Sequence, residues 1–330
     1  MTGRLAATRV LVQFVCSFLC IVCALSACAS DTVPPVSPAT ETAYSDDGSG
    51  MGQKIAQTAP EPDRTIGPFR RWRAMAHVRK LAGDIGVRVR ATEGERRGAA
   101  YIARRFRSLG YEVFVQKFSV DGGTSRNVIA TWPGAQRYPI ILGGHMDSVP
   151  TSPGANDNAS GVSVLLEIAR LVRGTVQGRL LKFIAFGSEE FGSDGTHHVG
   201  SQVYVDRLGT KGRNQLAGMI SIDMVADGRP LIVGSFGIGP RILGRILYRR
   251  LEKTNIAVRY QTLCDCSDNG PFEHAGLPGA FMYSGKDSNY HDDSDTVPNM
   301  APADLERTGK AVRSFVEGIN RSLLRRLRRA

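Results

Sequence analysis

Thiols are scarce where a folded protein would use them. Of the six cysteines in 330 residues, four (Cys16, Cys20, Cys23 and Cys28) fall within the first 28 positions. Only Cys264 and Cys266 remain downstream. A zinc site built on that pair would need further Cys or His close by, and His274 is the one candidate, so a thiolate metal site is discounted. An exported pair can oxidise, although a C-x-C bridge closes a tight ring and is expected to be strained. Interleaving of aromatic and basic residues is missing too. Lys and Arg outnumber Asp and Glu by 42 to 31, a formal net charge of +11. The surplus is scattered except at the C-terminal LLRRLRRA (Leu323 to Ala330). That distribution argues against nucleic-acid recognition. No internal repeat is visible, and no second linker follows Thr65. Residues 65–330 are therefore expected to form a single domain.

One apolar run stands out, Val10 to Ala27, preceded by Arg4 and Arg9 without an acid. Residues 1–27 have the layout of a secretory signal peptide. An uncleaved membrane helix is the alternative, since the run is near the lower spanning length. LSAC (Leu25 to Cys28) resembles a bacterial lipobox, which would make Cys28 the lipidated first residue of the mature chain. Residues 28–64 are rich in Pro, Ser, Thr and Ala, lack apolar periodicity, and read as a disordered tether. The expectation is an exported domain held at a membrane and facing the periplasm or cell exterior.

From Thr65 the pattern turns globular. PFRRWRAMAHVRKLAGD and EGERRGAAYIARRFRSLGY read as amphipathic helices, with Gly110 stopping the second. EVFVQKFSV, RNVIATW, YPIILGG, LLKFIAFG, GMISIDMV, PLIVGSF, AVRYQTL and GAFMYSG read as strands. ASGVSVLLEIARLVRG, RILGRILYRRLEK and a long closing ADLERTGKAVRSFVEGINRSLL read as helices. Apolar strands that alternate with helices predict an α/β three-layer sandwich around a mixed, mostly parallel sheet.

In such sheets ligands bind beyond the carboxyl ends of the strands. The strand exits here carry acids and histidines. His145 and Asp147 follow YPIILGG, and Asp157 precedes the next helix. Glu189 and Glu190 follow LLKFIAFGS, Asp223 follows GMISI, and Tyr290, His291 and Asp295 follow GAFMYSG. One Asp after a strand is a turn or cap residue. A whole edge of them is a ring of negative charge that needs cations. Imidazole plus carboxylate without thiolate suits zinc, with manganese or cobalt as substitutes. The ligand number exceeds the need of one tetrahedral ion and suits a pair, roughly 3.5–4 Å apart.

HMDSVPTSPGANDNASG, SEE, SIDM and YHDDSDT, in this order, resemble the co-catalytic zinc aminopeptidases (metallopeptidase family twenty-eight), above all the secreted bacterial ones. The resemblance runs from about Arg70 to Leu323. It implies that His145 and Asp223 bind one zinc, that Glu190 and His291 bind the other, and that Asp157 bridges them. Glu189 would be the general base and acid. Asp147 would orient the His145 imidazole, Tyr290 would stabilise the oxyanion, and Asp295 would support the site. Alternation at the strand end would point Glu189 and Glu190 in different directions. One departure is Asn269, where the family often has histidine. With Cys264 and Cys266 it bears on substrate preference rather than on the metal set.

The implied activity is removal of N-terminal residues from peptides. A carboxypeptidase or dipeptidase would need basic residues for the substrate carboxylate. A glutaminyl cyclase would have no use for the first-site pair His145 and Asp147. A non-catalytic binding domain would lose ligands or the base. The arginines from Arg321 to Arg329 cap a helix end, or they meet an anionic membrane surface near the anchor.

Overall fold

The computed structural model describes residues 64–285 and 287–330. The expected signal peptide, the Cys28 lipobox and the tether lie outside the described residues. Eight strands form one sheet in the order β1-β2-β4-β3-β5-β8-β6-β7. They are β1 (Glu112–Val120), β2 (Gly123–Thr131), β3 (Ile140–His145), β4 (Leu181–Phe186), β5 (Gly218–Ile222), β6 (Leu231–Ser235), β7 (Val258–Thr262) and β8 (Gly279–Tyr283). The central strands β4, β3, β5 and β8 run parallel. The β1-β2, β2-β4 and β6-β8 pairings are antiparallel, which makes the sheet mixed as expected.

Burial explains the order. β3 and β5 are buried at every position. Such continuous apolar runs suit central strands covered on both faces. β1 and β7 are half exposed and carry Glu112, Lys117 and Arg259, which suits the two edges. Alternate residues of the central strands enter different cores. Ile140, Leu142, Phe183, Ala185 and Ile220 pack with α1 (Arg71–Val78), α2 (Glu93–Ser108), α3 (Gly161–Val172), α5 (Ile242–Leu251) and α7 (Pro302–Glu317). Ile141, Ile184, Phe186 and Met219 pack on the other face with Tyr204 and Val205 of α4 (Val199–Arg213) and Phe272 of α6 (Asn269–His274). The three layers follow from this period of two.

Two readings of the helices change. The closing helix is two helices, because α7 ends at Glu317 and α8 (Arg321–Leu327) starts afresh. The extended Asn320 breaks the run and caps α8, its side chain accepting the Leu323 N–H at 2.9 Å. The expected third layer is made by α4 and α6, two helices that were not read from the sequence. α4 contains Gly200, Gly209 and Gly212 and few apolar residues, while α6 is six residues long and holds a Gly-Pro pair. Neither carries a helical stripe to read.

The end of α2 shows how a short signal sets a boundary. Gly110 has φ of 93°, and its N–H donates to the Arg107 carbonyl at 2.9 Å. Tyr111 N–H reaches the Phe106 carbonyl at 3.2 Å, and the two rings lie 5.8 Å apart. This is a Schellman stop with its apolar contact. Gly110→Ala would find ordinary space beside Trp132 but would force a Cβ into left-handed backbone. It should lower unfolding stability by about 1–2 kcal/mol, read by denaturant melts; an unchanged midpoint would contradict this account.

Candidate metal centre

The parallel strands deliver the polar residues to one edge. His145 is the last residue of β3, and Asp223 follows Ile222 of β5. Asp157 sits in the irregular turn Ala155–Ser160 that feeds α3. Close approach is needed here. A Cβ on Gly144 would meet the Ile222 carbonyl at 2.7 Å and the Asn158 amide at 3.2 Å. That amide donates to the same carbonyl at 3.0 Å and so ties the Asp157 turn to the Asp223 strand.

Glu189 and Glu190 are placed by a turn rather than by strand alternation. β4 ends at Phe186, and Ser188 has φ of 56°. The turn sends two successive N–H groups to one buried acid. Glu189 N–H donates to Asp147 Oδ1 and Glu190 N–H to Asp147 Oδ2, each at 3.1 Å. Asp147 was expected to orient His145. Its Oδ1 is 3.6 Å from His145 Nδ1, beyond hydrogen-bond range, so its direct bonds go to the backbone of the two glutamates. Asp295 does the same for the third segment, with Oδ1 accepting Asn156 N–H at 2.7 Å and Oδ2 accepting Asp157 N–H at 3.0 Å.

The side chains converge around Asp157. Its Oδ1 is 3.0 Å from His145 Nε2 and its Oδ2 is 3.4 Å from His291 Nε2. Asp223 Oδ1 lies 3.2 Å from His145 Nε2, and Glu190 Oε2 lies 3.1 Å from His291 Nε2. One carboxylate thus faces two imidazoles, each of which has a second carboxylate of its own. Ser267 Oγ donates to the other oxygen of Asp223 at 2.9 Å. Glu189 takes part differently. Its Oε2 is 3.9 Å from His145 Nε2, while its Oε1 is 3.0 Å from His198 Nε2. Tyr290 is 53% exposed at the rim, its ring stacked over that of His291 at 3.8 Å.

The electrostatics register too much buried negative charge. Burial, with the Asp157 carboxylate beside it, pushes Glu190 up to about 7. Burial also drives Glu189 well above the carboxylate range, and the neighbouring acids add to it. Burial disfavours the charged imidazole of His145, but Asp223 and Glu189 outweigh it and hold the group above its ordinary value. His291 rises to about 10 in spite of burial, through its bonds to Asp157 and Glu190. Acids and imidazoles all seek positive charge at the same point. A cation answers that demand without protons. His145, Asp157 and Glu190 offer ligand atoms within 4.8 Å of one another, and Glu190 Oε1 is buried without a protein partner. The donors are imidazole nitrogen and carboxylate oxygen, a set that fits zinc.

The cleft over these residues has a volume of ≈ 180 Å³, and Phe191, His197, His198, Met224, Asp265 and Cys266 complete its lining. Cys264 and Cys266 are joined as a disulfide with Cα atoms 5.1 Å apart. Asn269 is buried in α6, donates to Glu273 at 2.9 Å, and stays off the cleft lining. Several contributors went unread in the sequence. Arg88, wholly buried, donates to the carbonyls of Met146 and Gly154 at 2.8 and 2.9 Å and pins both sides of the ligand loops. Asp268 is buried beneath the site and pushed up to about 7 by that burial. The His197–His198 pair was the one visible signal among them.

An α/β sandwich with a histidine and carboxylate centre at the carboxyl edge of its parallel strands defines a metal-dependent hydrolase scaffold. The family model for peptidase family M28 matches residues 127–316, and the chain belongs to that family. It is similar to leupeptin-inactivating enzyme 1 of Streptomyces exfoliatus, 27% identical over 266 residues, 72% of this chain and 59% of that protein. Aminopeptidase YwaD of Bacillus subtilis is 31% identical over 206 residues, 58% of this chain and 44% of that protein. Probable lipoprotein aminopeptidase LpqL of Mycobacterium tuberculosis is 28% identical over 236 residues, 59% and 45% of the two chains. The chain therefore spans about half the length of the curated relatives it matches. Among solved structures, BSAP, a zinc aminopeptidase from Bacillus subtilis, superposes with a TM-score of 0.71 at 20% identity, covering 78% of this chain and 97% of that one. A leucine aminopeptidase precursor from Bacteroides thetaiotaomicron gives 0.68 at 22% identity, covering 78% and 99%. These likenesses establish the shared fold.

The backbone clamp can be tested without substrate. Asp147→Ala would leave two buried N–H groups unsatisfied, at about 1–3 kcal/mol each. Denaturant melts in chelator should show a loss of roughly 2–6 kcal/mol. A loss below 1 kcal/mol would mean that the Asp147 carboxylate matters only through His145.

Proposed function

We propose that the protein is a two-zinc aminopeptidase that removes N-terminal residues from peptides. The observation that carries the reading is Asp157, whose two oxygens face His145 and His291 from opposite sides, with Asp223 and Glu190 completing the two halves. His145 and Asp223 would hold one zinc, Glu190 and His291 the other, and Asp157 both. When bound, the zinc ions supply Lewis acidity that lowers the pKa of water and offsets charge developing on the scissile carbonyl. Glu189 is not needed as a ligand in this set. Its Oε2 faces the centre, which suits a group that takes a proton from the attacking water and returns it to the leaving amine. The Tyr290 hydroxyl at the rim is available to donate to the oxyanion.

The lining supports an aminopeptidase over a carboxypeptidase. Among the described residues it carries acids and histidines, and no Lys or Arg lines it. That surface attracts an ammonium and offers nothing to a terminal carboxylate. An adjoining cavity of ≈ 350 Å³ shares Asp223, Met224, Cys266 and Tyr290 with the cleft and is walled by Leu263, Phe281 and Tyr283. It suits an apolar side chain on the residue released. The full chain should cleave leucyl-nitroanilide faster than glutamyl-nitroanilide, lose the activity in chelator and regain it with zinc. Glu189→Gln should lower kcat by about 10²–10⁴ while metal content holds. Full activity in Glu189→Gln would refute the base, and cleavage confined to N-blocked peptides would refute the aminopeptidase.

The same reading places the enzyme at a membrane, lipidated on Cys28 and facing outward. Among the described residues no helix is long and apolar enough to cross a bilayer. Arg137, Arg321, Arg325 and Arg328 line one groove with Tyr138, while Arg64, Arg173 and Arg179 line another with Trp132. Gln136 to Tyr138 precede β3 and Leu180 precedes β4, so this basic face lies at the amino edge of the parallel strands, opposite the cleft. Arg64, the last residue of the expected tether, lines the second groove. Charge attraction would hold that face against anionic lipid and leave the cleft open to peptides. In a full chain carrying Cys28→Ser, replacing Arg321, Arg325 and Arg328 by Gln should weaken partition onto phosphatidylglycerol vesicles by tenfold or more, given roughly 1 kcal/mol per arginine. Equal partition of the two proteins would sink the membrane face.

A further inference from the structure

Glu189 is held by a contact that none of its expected roles requires. His198 Nε2 lies 3.0 Å from Glu189 Oε1, and both side chains are buried. In the ionised form that acts as a base, Glu189 only accepts, and in that form the imidazole is the donor, from Nε2. The second oxygen, Oε2, is the one turned toward His145. One oxygen is thereby anchored and the other is aimed.

The loop that supplies His198 is fixed along its length. His198 N–H donates to the Glu189 carbonyl and Val199 N–H to the Ser188 carbonyl, both at 2.8 Å. The chain thus folds back on the segment that carries the base. Arg90, almost wholly buried, donates to the Thr196 carbonyl at 2.8 Å and to Asp194 Oδ1 at 2.9 Å. Gly192 N–H closes the loop on the Thr196 carbonyl at 2.9 Å. The His197 ring packs across His198 at 4.1 Å and meets Phe191 at 4.4 Å. His198 itself has φ of 54°. A left-handed non-glycine residue costs roughly 1–3 kcal/mol and persists only where its surroundings impose it.

We infer that His198 is a positioning residue for the general base: it donates from Nε2 to Glu189 Oε1 and so fixes the direction of Oε2. It touches neither substrate nor metal in this role, and the inference rests on Glu189 being the base. A carboxylate free to rotate would spend less time aligned with the water it must deprotonate, and small misplacements of reacting groups cost up to about 10²-fold.

The test uses the full chain as wild type, His198→Ala, His198→Gln, Glu189→Gln and the double variant His198→Ala/Glu189→Gln. His198→Ala should lower kcat by about 10–10²-fold with KM and zinc content unchanged. His198→Gln, whose amide N–H reaches a similar point, should recover most of the loss. The double variant should be no slower than Glu189→Gln alone, because the histidine acts through that residue. A kcat within twofold of wild type in His198→Ala would overturn the inference, as would loss of zinc or a full further loss in the double variant. Nitrogen-15 imidazole spectra of the resting protein give a readout independent of turnover. The His198 resonance, assigned with His198→Gln, should show a proton on Nε2 whose exchange with water quickens in Glu189→Ala. A proton on Nδ1 alone would overturn the inference even if every variant failed to fold. A wild type inert toward every nitroanilide would instead count against the aminopeptidase reading and leave the spectrum to judge the contact.

Discussion

Concentrated negative charge, out of water, is the constraint on which this molecule is built. Asp157, Glu189, Glu190 and Asp223 are all buried within a few ångströms of two imidazoles. No packing of the surrounding apolar residues offsets such a cluster, because desolvation of even one carboxylate outweighs what a buried side chain contributes. The parallel strands bring the acids together, and burial beside other acids raises Glu189 and Glu190 above the ordinary carboxylate range. The cluster makes physical sense as half of an ionic assembly. Its other half is cationic.

Holding that half-assembly open is a backbone problem. Asp147 and Asp295 lie outside the ligand set, yet each accepts two successive N–H groups from a segment that presents a ligand. Arg88 grips the carbonyl side of the same loops. Four N–H groups and two carbonyls of the irregular backbone thereby find partners within the protein. Side chains can then repel one another without moving, since their main chains are anchored from beneath. Four non-glycine residues at this edge, Ser188, His198, Met224 and His291, take left-handed backbone. Strain of that kind gathers where a fold imposes geometry for a purpose.

What the sequence disclosed and what it hid follow from range. All eight strands were readable because their patterns are local, and most are apolar runs with Gly or Pro close by. The acids and histidines were readable because each stands at a strand exit. α4 and α6 were not, since their burial depends on a few contacts to the far face of the sheet, such as Tyr204 and Phe272 against Phe186. The roles of Arg88 and His198 were hidden for a related reason. Their partners lie 58 and nine positions away and meet them only once the loops have closed. The resemblance implied a role for Asp147 toward His145, whose Nδ1 lies 3.6 Å away, and said nothing of its backbone partners. The fold gave its oxygens to N–H groups more than forty residues on.

The same geometry gives two adjacent glutamates different surroundings, as the different tasks proposed for them require. Strand alternation would have sent one of them to the opposite face of the sheet, into the apolar layer of Phe186 and Ile184, where a carboxylate has no partner. The left-handed turn at Ser188 avoids that outcome by keeping both on the polar edge. Their difference is then set by neighbours. Glu190 pairs with His291 and points into the ligand cluster. Glu189 lies between His145 and His198, one from the ligand set and one from a loop pinned by Arg90. A base of this kind needs an environment that differs from that of a ligand, although the two residues share a peptide bond. The 191–198 loop supplies that difference through His198, which contacts Glu189 and not Glu190.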